Sequence, residues 1–95
     1  MEIVTLFVSQ RKLRNPQQVF ALVEAVKNNE FIPPVRLTES ENGDVQVEDG
    51  HHRITAYWLS GRNILFNNEY ILVQGNQRRP RFGRVPDFVK RVMEI

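Results

Sequence analysis

The hydrophobic spacing changes period at Gly50, and this change constrains the fold more than any other feature of the chain. Before it, Val45-Gln46-Val47-Glu48 alternates, so Val45 and Val47 share one face of a strand over residues 45–48 and Gln46 and Glu48 share the other. After it, Ile54, Tyr57, Trp58 and Gly61 recur at helical spacing, which predicts a helix over residues 51–60 with Gly61 as its C-terminal cap. A strand must therefore pass into a helix through Glu48-Asp49-Gly50, and glycine permits the sharp turn and the close approach of a ligand to the backbone.

The remaining elements fall around this junction. Residues 2–8 are rich in β-branched and aromatic side chains and read as a strand buried on both faces. A polar, basic loop over residues 9–14 leads to Asn15-Pro16-Gln17-Gln18, where Asn15 suits the N-cap, Pro16 the first helical position and Gln18 a capping box. Val19, Leu22, Val23 and Val26 follow on one helical face, with Phe20 beside them. Pro33-Pro34 precedes a short strand over 35–38, and Glu41-Asn42-Gly43-Asp44 predicts a type I′ hairpin turn. Residues 70–74 read as a further strand, 75–84 as a Gly/Arg/Pro-rich loop, and Pro86 opens a last helix bearing Phe88, Val89, Val92 and Met93. Those four apolar residues have two possible uses, closing the core or forming a homodimer seam. The expected architecture is α+β, a small mixed β-sheet with two to three helices in one domain over 1–95, its core in 1–74.

Composition narrows the chemistry. The chain has 95 residues and no cysteine, which excludes a disulfide framework, a thiolate metal site and a cysteine nucleophile. No apolar run approaches the length of a membrane span and no leader pattern precedes the first strand, so a cytoplasmic protein is expected. The net charge of +2 is unevenly spread: residues 1–77 carry seven Lys/Arg against nine Asp/Glu, whereas 78–95 carry six against two. The basic character thus belongs to the C-terminal segment.

The junction at Gly50 carries the chemistry. A helix starting at His51 presents first-turn N–H groups without helical acceptors, and the positive end of its dipole adds to them. Arg53 lies in that turn, where a guanidinium can grip phosphate oxygens in pairs, and His51 or His52 can donate to the same anion. Three cationic or potentially cationic side chains oppose the dipole here, and a bound anion would remove the conflict. The plainer alternative is that Asp49 or Gly50 caps the helix and the histidines face water.

Val47-Glu48-Asp49-Gly50-His51-His52-Arg53-Ile54-Thr55-Ala56, ending at Ser60-Gly61-Arg62, resembles the signature of the ParB/sulfiredoxin superfamily. Arg14-Asn15-Pro16-Gln17 and Pro33-Pro34-Val35 agree in spacing, so the resemblance covers roughly residues 1–74. It implies a ParB/sulfiredoxin-like fold that binds nucleotide phosphates through Gly50, His51, His52 and Arg53, with Arg11, Arg14 and Gln17 contributing from the first loop. It does not fix the reaction: weak phosphoryl transfer or hydrolysis is the enzymatic version of this reading, with Mg²⁺ bridging a carboxylate to the phosphates of a nucleotide such as CTP, ATP or ADP. Asp49, Glu48 and Glu30 are then the catalytic candidates, and Asp49 is the metal candidate. His51 stands where sulfiredoxins carry cysteine, which excludes their reductive chemistry. His51-His52 also replaces the Glu-Arg pair of chromosome-partitioning ParB proteins. The Asp-Gly-His-His-Arg form is closer to stand-alone relatives, including free-serine kinases and ParB-like nucleases.

Two other readings compete with nucleotide binding. Arg78, Arg79, Arg81 and Arg84 surround Phe82 and suit a DNA or RNA backbone, with a ParB-like nuclease as the enzymatic version; a solvated loop is the plainer use of the same residues. A non-catalytic interaction domain would keep the fold without the ligand. Adjacent helical residues such as His51 and His52 point about 100° apart, which disfavours a zinc site, and no Ser/His/Asp triad can be assembled.

Overall fold

The computed structural model describes residues 1–94 and shows three helices and a three-stranded mixed sheet. The helices are α1 (Gln18–Lys27), α2 (His51–Leu59) and α3 (Val85–Met93), and the strands are β1 (Val35–Glu39), β2 (Val45–Asp49) and β3 (Tyr70–Gln74). The sheet order is β2-β1-β3, with β1–β2 antiparallel and β1–β3 parallel. The expected α+β architecture with a mixed sheet is therefore present. Helix α2 packs against α1, α3 and β1. The buried core draws on every helix, on β1 and β2, and on the N-terminal segment through Ile3, Leu6 and Val8.

That N-terminal segment departs from expectation. Residues Ile3–Thr5 form a 3₁₀ turn, and Val4 is exposed, so residues 2–8 are not a strand buried on both faces. Burial at Ile3, Leu6 and Val8 fits a turn that then extends better than it fits alternation. The extended part, residues 6–8, inserts between β2 and the loop before α3. Phe7 exchanges backbone bonds with Val45 and Val47, while Val8 exchanges them with Gly83 and Phe82. This insertion explains why Gln46 is fully buried although it lies on the polar face of β2.

Two turns also differ. A type I′ turn needs positive φ at both Asn42 and Gly43, but only Gly43 has it (φ +89°). The Asn42 side chain accepts from Ser40 Oγ and the Asp44 amide, and Gly43 N–H closes onto the Ser40 carbonyl at 3.0 Å, so the loop is longer than a two-residue turn. Helix α1 begins at Gln18 rather than Pro16, and no side-chain cap forms. The Asn15 and Pro16 carbonyls instead accept from Gln18 and Val19 in a tight first turn.

Helix α3 uses its apolar face within the chain. Phe88 and Val89 are buried and Val92 and Met93 are half-buried against the core, so this face helps to close the core. Among the described residues no helix is long and apolar enough to cross a membrane.

Candidate functional site at the entrance of α2

Gly50 sits at φ +106° between β2 and α2, a conformation that L side chains rarely adopt. It leaves the helix without a side-chain cap, and no acidic residue occupies the first turn. The amides of residues 51–53 therefore have no helical acceptor, and these residues line a cleft of about 660 Å³. Arg14, Gln18, Glu48, Asp49, His52 and Arg79 are among the residues that line it.

Adjacent residues of a regular strand point to opposite faces, yet Glu48 and Asp49 both line this cleft. The register explains it. Arg36 pairs with Asp49 and the next residue, Leu37, with Val47, so Glu48 is the extra residue of a β-bulge. Bulges re-aim a side chain at the end of a strand, and this one brings both carboxylates to the wall.

The two histidines bracket the first loop. His51 is only 2% exposed, and its Nε2 accepts the Ser9 amide at 3.0 Å. His52 Nε2 accepts the Asn15 amide at 3.2 Å. Each histidine thus holds one end of the loop that forms one side of the cleft. Burial, reinforced by the Arg79 guanidinium, lowers the His51 pKa from its ordinary 6.5 to about 4, and burial lowers that of His52 as well. His51 is neutral at pH 7. With Nε2 as the acceptor, its proton resides on Nδ1, which is buried and has no partner. Glu48 Oε1 is a second buried, unpartnered polar atom of the cleft residues.

Arg53 has a different employment from the one its position predicts. Nη1 donates to the Pro33 and Pro34 carbonyls at 3.1 and 2.8 Å, and Nη2 to Asp49 at 3.2 Å. The guanidinium also covers Gly50, where an added Cβ would lie 3.1 Å from Nε. Arg53 therefore clamps the Pro33-Pro34 segment to the turn, and its paired donors are occupied by the chain itself.

Other predicted residues distribute unevenly. Gly50, His51, His52, Arg14, Glu48 and Asp49 come together with Arg53 at the cleft. Gln17 does not line it, whereas Gln18 and Gln10 do. Arg11 lies in a separate recess, stacked on Phe82 at 4.9 Å. Glu30 lies in a third recess with Arg62 and Glu69, apart from both cleft carboxylates. The predicted acidic trio is thus split, because the loop after α1 runs to a different side of the molecule. Among the described residues no group of three or more His, Cys, Asp or Glu could hold a metal ion. Asp49 is already bonded to Arg53, and Glu48 Oε2 lies 3.6 Å from Arg79 Nε. The chain's own carboxylates do not fit a resident Mg²⁺ site.

The arginines of loop 75–84 divide in the same way. Arg79 turns into the cleft, which sequence reasoning missed because only the tertiary fold places it near Gly50. Arg81 and Arg84 stack on Phe7 at 4.4 and 4.3 Å, and they also bond Asp44 and the Thr5 carbonyl. Phe82 is half-buried against the core rather than offered as a stacking platform. No known protein family, curated protein or solved structure matches the chain.

Proposed function

We propose that this chain is a ParB/sulfiredoxin-like domain that binds the phosphate of a nucleotide in the cleft at the entrance of α2. The observation that carries the reading is the uncapped first turn, whose amides at residues 51–53 have no helical acceptor, together with the buried, unpartnered Nδ1–H of His51 in the same turn. Arg14 and Arg79 add positive charge to the same walls. Glu48 Oε1 lacks a donor, which favours a ligand that carries hydroxyl or amino groups beside its phosphate, as a nucleotide does. The reading is one of binding. With Glu30 in a separate recess and no group of three metal-ligating residues among the described residues, the cleft residues supply anion recognition, and Mg²⁺ would arrive with the nucleotide.

Titration of ¹⁵N-labelled protein with inorganic phosphate, then with ADP, ATP and CTP with and without Mg²⁺, tests this. Amide shifts should concentrate at residues 50–53, and Arg14→Ala and Arg79→Ala should each weaken binding by about tenfold. No response at residues 49–54 to any of these anions would refute the reading. Salt-sensitive shifts over 78–91 on adding short DNA would support a nucleic-acid interface in its place.

A further inference from the structure

The recess that holds Arg11 combines apolar walls with charge in a way that the α2 cleft does not. The first loop separates the two: Gln10 and Arg14 line the cleft, whereas Arg11, Lys12 and Leu13 line the recess. Its volume is about 570 Å³, enough to take a bulky side chain or a small molecule. Buried Leu13 and half-buried Phe82 and Val92, with Pro16, make the lining apolar. The rest of the lining is charged and exposed, with Arg11, Lys12 and Arg91 against the single acid Glu94.

These three cations are positioned without being neutralised. Arg91 Nη2 donates to the Phe82 carbonyl at 3.2 Å and Nε to the Arg11 carbonyl at 3.4 Å, so main-chain oxygens orient this guanidinium. Arg11 lies over the Phe82 ring at 4.9 Å. Elsewhere Arg53, Arg62, Arg79 and Arg81 each face a carboxylate, but among the described residues Arg11, Lys12 and Arg91 face none, and Glu94 pairs with no cation. Positive charge is therefore in surplus beside an apolar wall. We propose that this recess docks a short acidic segment of a partner protein, with one bulky apolar side chain inserted and flanking carboxylates meeting Arg11, Lys12 and Arg91.

The same observations disfavour other polyanions. A nucleic-acid strand stacks its bases on open aromatic faces, whereas Phe82 is half-buried and already carries the Arg11 guanidinium. An anionic lipid surface is met by apolar side chains that project into it, whereas the apolar residues here line a concavity. A peptide supplies both parts that the recess lacks, an apolar group to fill it and several carboxylates at separate positions around it. The site shares no lining residue with the α2 cleft, so it does not rest on nucleotide binding there.

Fluorescence anisotropy with the whole chain and labelled Asp-Glu-X-Glu-Asp peptides, X being leucine, phenylalanine or tryptophan, tests this. At least one should bind saturably between about 10 µM and about 1 mM, with ¹⁵N amide shifts at residues 11–13, 82 and 91–92. No saturable binding by any of the three would overturn the proposal. Serine at X, or Asn and Gln in place of the acids, should each weaken binding by about tenfold or more. An equal affinity for either control would remove the apolar or the charged half of the recognition and refute it. Lys12→Glu changes an exposed side chain, so it should stay folded by circular dichroism and weaken binding by about tenfold. Unchanged affinity would overturn the assignment, and if that variant does not fold, the peptide series and the shifts decide alone. Shifts centred on residues 50–53 would place the peptide in the α2 cleft and refute the recess. Tighter binding there of a single-stranded oligonucleotide, or of vesicles of phosphatidylserine, would assign the recess to that class and likewise refute this one.

Discussion

Helices α2 and α3 are each nine residues long, yet their ends are built on opposite plans. Helix α3 opens with Pro86 and Asp87 in its first turn, closes Phe88 N–H onto the Arg84 carbonyl, and ends with Lys90 and Arg91. Acid at the start and base at the end complement the dipole. Helix α2 has neither. Its Thr55 and Ser60 hydroxyls bond back to carbonyls of the preceding turn, and its first residues reach across to the Ser9 and Asn15 amides. Both helices bury a face, and α3 is stabilised further by its own ends. Helix α2 adds long-range bonds to its buried face and leaves its positive end without a side-chain cap, which is the arrangement an anion site requires.

Four measurements can break or sharpen that contrast. Phe88→Ala should have the largest effect, about 3–5 kcal/mol of stability lost in urea denaturation, because the ring is fully buried. A loss under 1 kcal/mol would return the α3 face to solvent. Acidification should act next, and through α2. His51 stays neutral in the fold down to about pH 4, whereas the unfolded ring takes its proton near 6.5. The unfolded state therefore binds more protons between these values, and stability falls as pH drops from 6.5 to 4, by about 3 kcal/mol. His51→Gln should flatten this part of the stability–pH curve.

Gly50→Ala should cost about 2 kcal/mol, since the new Cβ adopts a left-handed φ and presses on Arg53. Gly83→Ala shares the positive φ (+93°) but meets nothing within 4 Å, so it should cost less. Equal losses would mean that the Arg53 clamp contributes nothing. Asp87→Asn should be the smallest change, about 0.5 kcal/mol, read as a slight fall in thermal midpoint that added salt reduces.

Much of this was legible before any coordinates. Alternation at Val45 and Val47, helical spacing at Ile54 and Tyr57, and the glycine between them located β2, α2 and their junction. Local pattern served less well where a third element intervened. Residues 2–8 have strand-like composition, but their 3₁₀ turn and insertion beside β2 depend on partners in residues 45–47 and 82–85. Asn42-Gly43 signalled a turn, and the side-chain bonds of Asn42 selected a longer one.

The cleft divides along the same line. The chain by itself determined that a strand meets a helix at Gly50 with no acid in the first turn, because those facts depend on neighbours within four residues. Only the tertiary structure decided that His51 is buried and neutral, that Arg53 is spent on the Pro33 and Pro34 carbonyls, that Arg79 enters the cleft while Glu30 leaves it, and that Arg11, Lys12 and Arg91 gather at one recess. Hydrogen bonds and ion pairs between residues distant in sequence depend on how the layers stack, and no local periodicity encodes that distance.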